Sequence, residues 1–183
     1  DIRTVIVRQE RIGLHMADAM ARLSSGKTIG VFAMQHGPGT ENAFGGVAQA
    51  YSESVPILVI PMGYPRAIAH IHPNFSAVDN YRHVTKSLEP LTSAGEVANV
   101  FRRAFTQMRN GRQAPALVEV PADLVEAEFE GELDYTPTFS ARFGPDPVAV
   151  RTAAEVLVAA KNPVIYAGQG VHYAAAWPQL LQL

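Results

Sequence analysis

Thr28-Ile29-Gly30-Val31-Phe32-Ala33-Met34-Gln35-His36-Gly37-Pro38-Gly39-Thr40-Glu41-Asn42 is the stretch that decides the fold of this 183-residue chain. Residues 28 to 34 form an apolar run of strand length, Gly37-Pro38-Gly39 breaks it, and Thr40 can cap a helix running to about Ser52. A buried strand that passes through a tight turn into a helix is the unit from which parallel, helix-covered sheets are built. The two glycines let backbone approach a flat ligand closely, and the helix start offers unpaired N–H groups. A ligand-free junction has the same pattern, so the turn alone does not name a function.

Working outward, Thr4-Val5-Ile6-Val7 is a β-branched run of strand type. After it Ile12, Met16, Met20 and Leu23 recur at helical spacing until Ser24-Ser25-Gly26 ends the pattern. Pro56 to Met62 predicts a third strand, Gly63 to Asn80 a long irregular loop, and Val84 to Leu88 a short strand. Ser93 caps a helix from about Ala94 to Arg109, with Val97, Val100, Phe101, Ala104, Phe105 and Met108 on one side, and Ala116 to Val120 is the next strand. This alternation predicts an α/β fold: a doubly wound, mostly parallel sheet with helices on both faces and sites at the carboxyl ends of its strands. From Leu124 to Pro147 the pattern dissolves, and a helix (Val148 to Ala160) and a strand (Val164 to Ala167) then begin a second α/β unit. The expected division is a first domain over 1–127, a linker over 128–146 and the start of another domain over 147–183. A chain that opens on Asp1 and stops at Leu183 within a helical pattern is expected to be a truncated piece of a larger fold.

Composition excludes several classes. With 48% hydrophobic and 17% charged residues the chain is globular, and a net charge of −2 with scattered basic residues argues against nucleic acid as a partner. The longest apolar run, Val55 to Met62, is far short of the roughly 20 residues a membrane helix needs. The absence of cysteine removes disulfides, thiolate zinc sites and cysteine nucleophiles, and fits a cytoplasmic location. No Gly-x-Ser-x-Gly elbow exists, and Tyr173 occupies the place of the third glycine after Gly168-Gln169-Gly170, which removes a dinucleotide fingerprint. His70-x-His72 with His83 or Asp79 is a weak metal pattern, and no metal ligand is assigned to this chain.

Glu10, where strand gives way to helix, reads by itself as a helix-start carboxylate interacting with the dipole. Taken in order with the turn, it carries a resemblance. Arg8-Gln9-Glu10, Met20-Ala21-Arg22, His36-Gly37-Pro38-Gly39-Thr40-Glu41-Asn42, Ala50-Tyr51-Ser52-Glu53-Ser54-Val55-Pro56 and Asn110-Gly111-Arg112-Gln113-Ala114-Pro115 through Pro121 resemble the thiamine diphosphate-dependent enzymes, acetolactate synthase-like group. The likeness covers residues 3 to 123, the pyrimidine-binding domain, and resumes at 146 to 171, which looks like the start of the central domain.

The resemblance implies that Glu10 shares a proton with N1′ of the cofactor's aminopyrimidine and so activates it, while Gly37, Pro38 and Asn42 shape the pyrimidine pocket. It implies thiamine diphosphate with Mg²⁺, the metal and diphosphate site lying outside this chain, and leaves FAD undetermined. It further implies a homodimer or homotetramer acting on a small 2-oxo acid as a lyase or transferase, by decarboxylation or carboligation, with this piece inactive on its own. His36, His70, His72 and Phe75 are candidates to line the substrate pocket, the histidines because imidazole titrates near neutral pH; loop packing is the competing reading for them. Phe75-Ser76-Ala77 and Val120-Pro121-Ala122 depart from the Phe-Gln-Glu and Ile-Pro-Lys of acetolactate synthases proper, which argues against acetolactate as product. A catalytically idle assembly or regulatory module of the same fold is the alternative.

Overall fold

The computed structural model describes residues 2–183. Among them, four strands form one parallel sheet: β1 (Gly30–Met34), β2 (Ile57–Gly63), β3 (Ser87–Pro90) and β4 (Ala116–Pro121), in the order β1-β2-β4-β3. Between them run α1 (Glu10–Leu23), which precedes β1, then α2 (Pro38–Ser52), the short α3 (Ala77–Asn80), α4 (Val97–Arg109) and, after β4, the short α5 (Ala122–Val125). The crossover from β2 to its neighbour β4 passes through β3 and α4, so the sheet is wound in both directions.

Alternation along the strands sends successive side chains to opposite faces. Ile57, Val59 and Leu117 join Phe32 and Met34 on one face beneath Leu14, Ala17 and Ala21 of α1 and Ala43, Val47 and Ala50 of α2. Leu58, Ala116 and Val118 point the other way, against Val100, Ala104 and Met108 of α4. Each fully buried aliphatic side chain of this kind stabilises the fold by about 1.5–3 kcal/mol. α1 lies so close to the sheet that a Cβ at Gly30 would stand 2.0 Å from the Ala17 carbonyl oxygen. The one charged group buried in α1, Asp18, is bonded by Arg22 at 2.9 Å, and Arg22 also reaches Glu53 at 3.3 Å.

The helix expected from Ile12, Met16, Met20 and Leu23 forms as α1, whereas two expected strands do not. Ile12, Met16, Met20 and Leu23, whose spacing marks the helix, stand on its outer side at 49%, 45%, 56% and 85% exposure. The buried side is the neighbouring row of Gly13, Leu14, Ala17, Asp18 and Ala21, because small residues let α1 approach the sheet. Thr4 to Val7 forms no strand: no backbone partner lies beside it among the described residues, although Val7 packs against the core. Val164 to Ala167 is likewise extended but unpaired, with Val164 92% exposed.

The chain divides into two compact units, up to Ser140 and from Ala141. Residues 127–146 contain no regular element, and within the first unit the stretch 134–139 runs along α4: the Arg102 guanidinium donates to the carbonyls of Asp134 at 2.9 Å and Thr136 at 3.2 Å. The second unit holds α6 (Pro147–Ala159), capped by the Asp146 carboxylate, then α7 (Gln169–Tyr173) and α8 (Trp177–Gln182).

Candidate functional site

The carboxyl ends of β1, β2 and β4 bring together three short segments. From β1 the chain enters Gln35-His36-Gly37 and turns into α2. Gly37 has φ +61°, which L side chains rarely adopt, and its carbonyl accepts the Glu41 amide at 2.9 Å, so a glycine is required for the turn to close. The buried Thr40 hydroxyl donates to the Gln35 carbonyl at 2.9 Å, and Tyr81 of the segment after α3 donates its hydroxyl to the Thr40 carbonyl. The turn is thus braced from inside the core.

Glu10, half-buried, opens α1 beside this turn. Asn42, the fifth residue of α2, donates its side-chain amide to Glu10 Oε2 at 3.4 Å. A methyl group at Gly39 would lie 3.3 Å from Glu10 Oε1 and 2.7 Å from Gln35 Cγ. Of the residues singled out from sequence, Glu10, Gly37, Pro38 and Asn42 therefore meet in one place. The helix start adds two backbone donors, and Gly39 lets the turn pack closely on Gln35, where any side chain would collide.

His36 also belongs to this place. Its ring lies 4.3 Å from the ring of Tyr64, tilted by 50°, and its Nδ1 is buried with no hydrogen-bond partner among the described residues. Tyr64, the first residue after β2, sets its hydroxyl oxygen 3.3 Å from where a Gly37 Cβ would be. Phe75 is half-buried against the core and, with Glu41, Phe44 and Asn80, lines a shallow pocket of about 270 Å³. His70 and His72 stand exposed on the loop from Tyr64 to Ser76 and make no hydrogen bond, ion pair or ring contact among the described residues. That loop is pinned at its base by Arg66. Its amide and guanidinium hold the Asp123 carboxyl at 3.0 and 2.7 Å and keep it below the usual carboxylate range. No group of three potential metal ligands occurs among the described residues.

Comparison with known proteins supplies the rest. Residues 1–88 match the family model of the thiamine pyrophosphate enzyme N-terminal TPP binding domain. The chain is 30% identical to the acetolactate synthase isozyme 3 large subunit of Escherichia coli K12 over 96% of its own length and 32% of that protein's. It is 35% identical to the glyoxylate carboligase of Escherichia coli O157:H7, over 99% and 31%. The chain is thus similar to thiamine diphosphate-dependent, acetolactate synthase-like enzymes. Its fold superposes on the crystal structure of benzoylformate decarboxylase from Polynucleobacter necessarius with a TM-score of 0.87 at 26% identity, over 99% of this chain and 34% of that one. The chain spans about a third of the length of the curated relatives it matches. The half-buried Glu10 carboxyl, bonded by Asn42 at one oxygen and unbonded by protein at the other among the described residues, suits one edge of a flat, nitrogen-bearing ring such as an aminopyrimidine.

Two residues at these strand ends escaped the sequence reading. Tyr64 had no signal beyond being an aromatic residue after a strand. Glu119 did have one: it interrupts the apolar β4, and its carboxyl lies against Gly63, with Cδ 3.1 Å from an ideal Cβ there. Burial pushes this carboxyl above its ordinary range; the Ala77 amide bonded to it pulls the other way and neighbouring Asp79 adds to the rise.

Proposed function

We propose that this chain carries the aminopyrimidine-binding side of a thiamine diphosphate-dependent enzyme that makes or breaks the bond beside the carbonyl of a 2-oxo acid. The observation that supports this reading best is the Glu10 carboxyl beside Gly39 and bonded by Asn42. When bound, the cofactor supplies a nucleophilic carbon and an electron sink for the reaction. Glu10 shares a proton with N1′ of the pyrimidine ring. Asn42 keeps the carboxylate turned toward that ring, while Gly37 and Pro38 give the turn its fixed shape and Gly39 lets it close on Gln35 and Glu10. Among the substrate candidates, His36 directly precedes the turn and packs on Tyr64, and Phe75 lines a shallow pocket with Phe44. His70 and His72 would act only after the loop that carries them turns inward.

In this reading the Mg²⁺ and diphosphate side comes from elsewhere in the complete protein or from a second copy, and residues 147–183 begin the central domain. The exposed row Ile12, Met16, Met20 and Leu23 supports assembly as at least a homodimer, since contiguous apolar surface on a folded helix marks interaction sites. Glu10 opens that same helix, so the partner would adjoin the pyrimidine pocket. Met16→Glu together with Met20→Glu should shift the sedimentation of the complete protein toward monomer; an unchanged assembly would remove this face from the interface. A cytoplasmic location accords with the absence of cysteine.

The deciding experiment is Glu10→Gln in the complete protein, assayed on a panel of 2-oxo acids with thiamine diphosphate and Mg²⁺. Turnover should fall by roughly 100-fold or more with the fold intact. Calorimetric titration of the parent protein should give saturable cofactor binding near one per chain; no binding would leave a catalytically idle module.

A further inference from the structure

We infer that His36, clamped by Tyr64, is a substrate-orienting residue whose Nε2–H donates a hydrogen bond to a carboxylate or carbonyl oxygen of the 2-oxo acid. The 2-oxo acid rests on the function proposed above; the state of the ring does not. Nδ1 of His36 is buried without a partner among the described residues, whereas Nε2 is neither buried without a partner nor bonded to protein, and so reaches solvent. A hydrogen on Nδ1 would be a buried donor with no acceptor, the kind of orphan group folded proteins seldom keep, whereas a lone pair there is tolerated better. The hydrogen therefore sits on Nε2, the nitrogen that faces out.

Rotation of the ring would exchange Nδ1 with Cδ2 and Nε2 with Cε1 and so move the donor, and the Tyr64 ring at 4.3 Å stands in its way. Tyr64 is itself seated on the turn, its hydroxyl oxygen 3.3 Å from the ideal Cβ position of Gly37. His36 directly precedes the turn whose third residue adjoins Glu10, so its N–H donor and the proposed proton-sharing carboxyl flank one turn at the carboxyl end of the sheet. A donor in that place orients a small oxygen-bearing molecule. It complements the carboxylate of a 2-oxo acid, with the preorganised hydrogen bond supplying discrimination against analogues that lack the oxygen.

Two measurements on the complete protein test this. In long-range ¹H–¹⁵N spectra of histidine-labelled protein, the signals lost in His36→Gln should show a pyrrole-like Nε2 and a pyridine-like Nδ1; a hydrogen on Nδ1 overturns the inference. With thiamine diphosphate and Mg²⁺ saturating, His36→Phe should raise KM for the 2-oxo acid by roughly tenfold or more, change kcat less, and leave calorimetric affinity for thiamine diphosphate within about twofold. Tyr64→Ala should reproduce that rise while Tyr64→Phe, which keeps the ring, should not. An unchanged KM in His36→Phe, or a loss of cofactor affinity as large as the loss in KM, overturns substrate orientation. A parent protein that binds no thiamine diphosphate overturns the proposed function, and the substrate part of this inference with it, while the spectra still decide the tautomer.

Discussion

Two glutamates stand at the carboxyl end of the same sheet and live in opposite surroundings. Glu10 opens a helix, takes a 3.4 Å bond from the side chain of Asn42 at one oxygen, and stands half-exposed beside Gly39. Glu119 is packed against Gly63, tied to the rigid backbone amide of Ala77, and pushed above its ordinary range by burial. A carboxyl that spends its bonding capacity on the backbone is committed to structure; one half-exposed, with an oxygen that takes no bond from protein among the described residues, can exchange a proton with a ligand. Residue type does not separate the two, but what completes each carboxyl's hydrogen bonding does.

The largest effect that could break this contrast is in turnover. Glu10→Gln should cost roughly 100-fold or more in kcat, whereas Glu119→Gln, assayed in parallel, should stay within several-fold of the parent. Equal losses would mean that the two carboxyls are not functionally distinct. Next comes Gly39→Ala: the added methyl group meets Gln35 and the Glu10 carboxyl, so calorimetric affinity for thiamine diphosphate should fall by roughly tenfold, while Gly63→Ala, which crowds Glu119 instead, should act on melting temperature first. Unaltered affinity in Gly39→Ala would show that the packing of Gln35 and Glu10 around this glycine does not shape the cofactor site.

Glu119→Ala leaves the Ala77 amide without its acceptor and should destabilise the fold by about 1–3 kcal/mol, read from chemical denaturation. Glu119→Gln keeps an acceptor and should cost less. The smallest effect is the pH dependence. A carboxyl whose value is raised in the folded state holds its proton where the unfolded chain has already lost it. Its stabilising contribution is complete below the ordinary glutamate value and is lost as pH rises through the raised folded value. Glu119→Gln should remove that part of the slope in denaturation midpoints across this window; an identical slope in parent and variant would show that Glu119 does not titrate differently in the two states.

Much of the scaffold was legible because its signals are local. The strand-turn-helix at residues 28 to 42 and the spacing of Val97, Val100, Ala104 and Met108 rest on backbone propensity and periodicity, and β1, α2 and α4 form there. Local signals do not settle what a distant partner decides. The row Ile12, Met16, Met20 and Leu23 is more apolar than the buried row of α1, yet close approach to the sheet selects small residues, and the bulkier row faces out. Thr4 to Val7 and Val164 to Ala167 have strand composition without a neighbouring strand to bond to, and composition alone pairs nothing.

From the chain's own residues one can derive a parallel α/β sheet, a glycine-rich turn at the end of its first strand, and a carboxylate at the start of the preceding helix. These follow from interactions spanning a few residues. Tertiary structure alone decided that Asn42 reaches Glu10 across 32 positions, that Tyr64 closes on His36, and that Glu119 is enclosed between Gly63 and Ala77. Each of these depends on which strand ends lie side by side, and the order β1-β2-β4-β3 sets that through packing and pairing summed over the whole sheet.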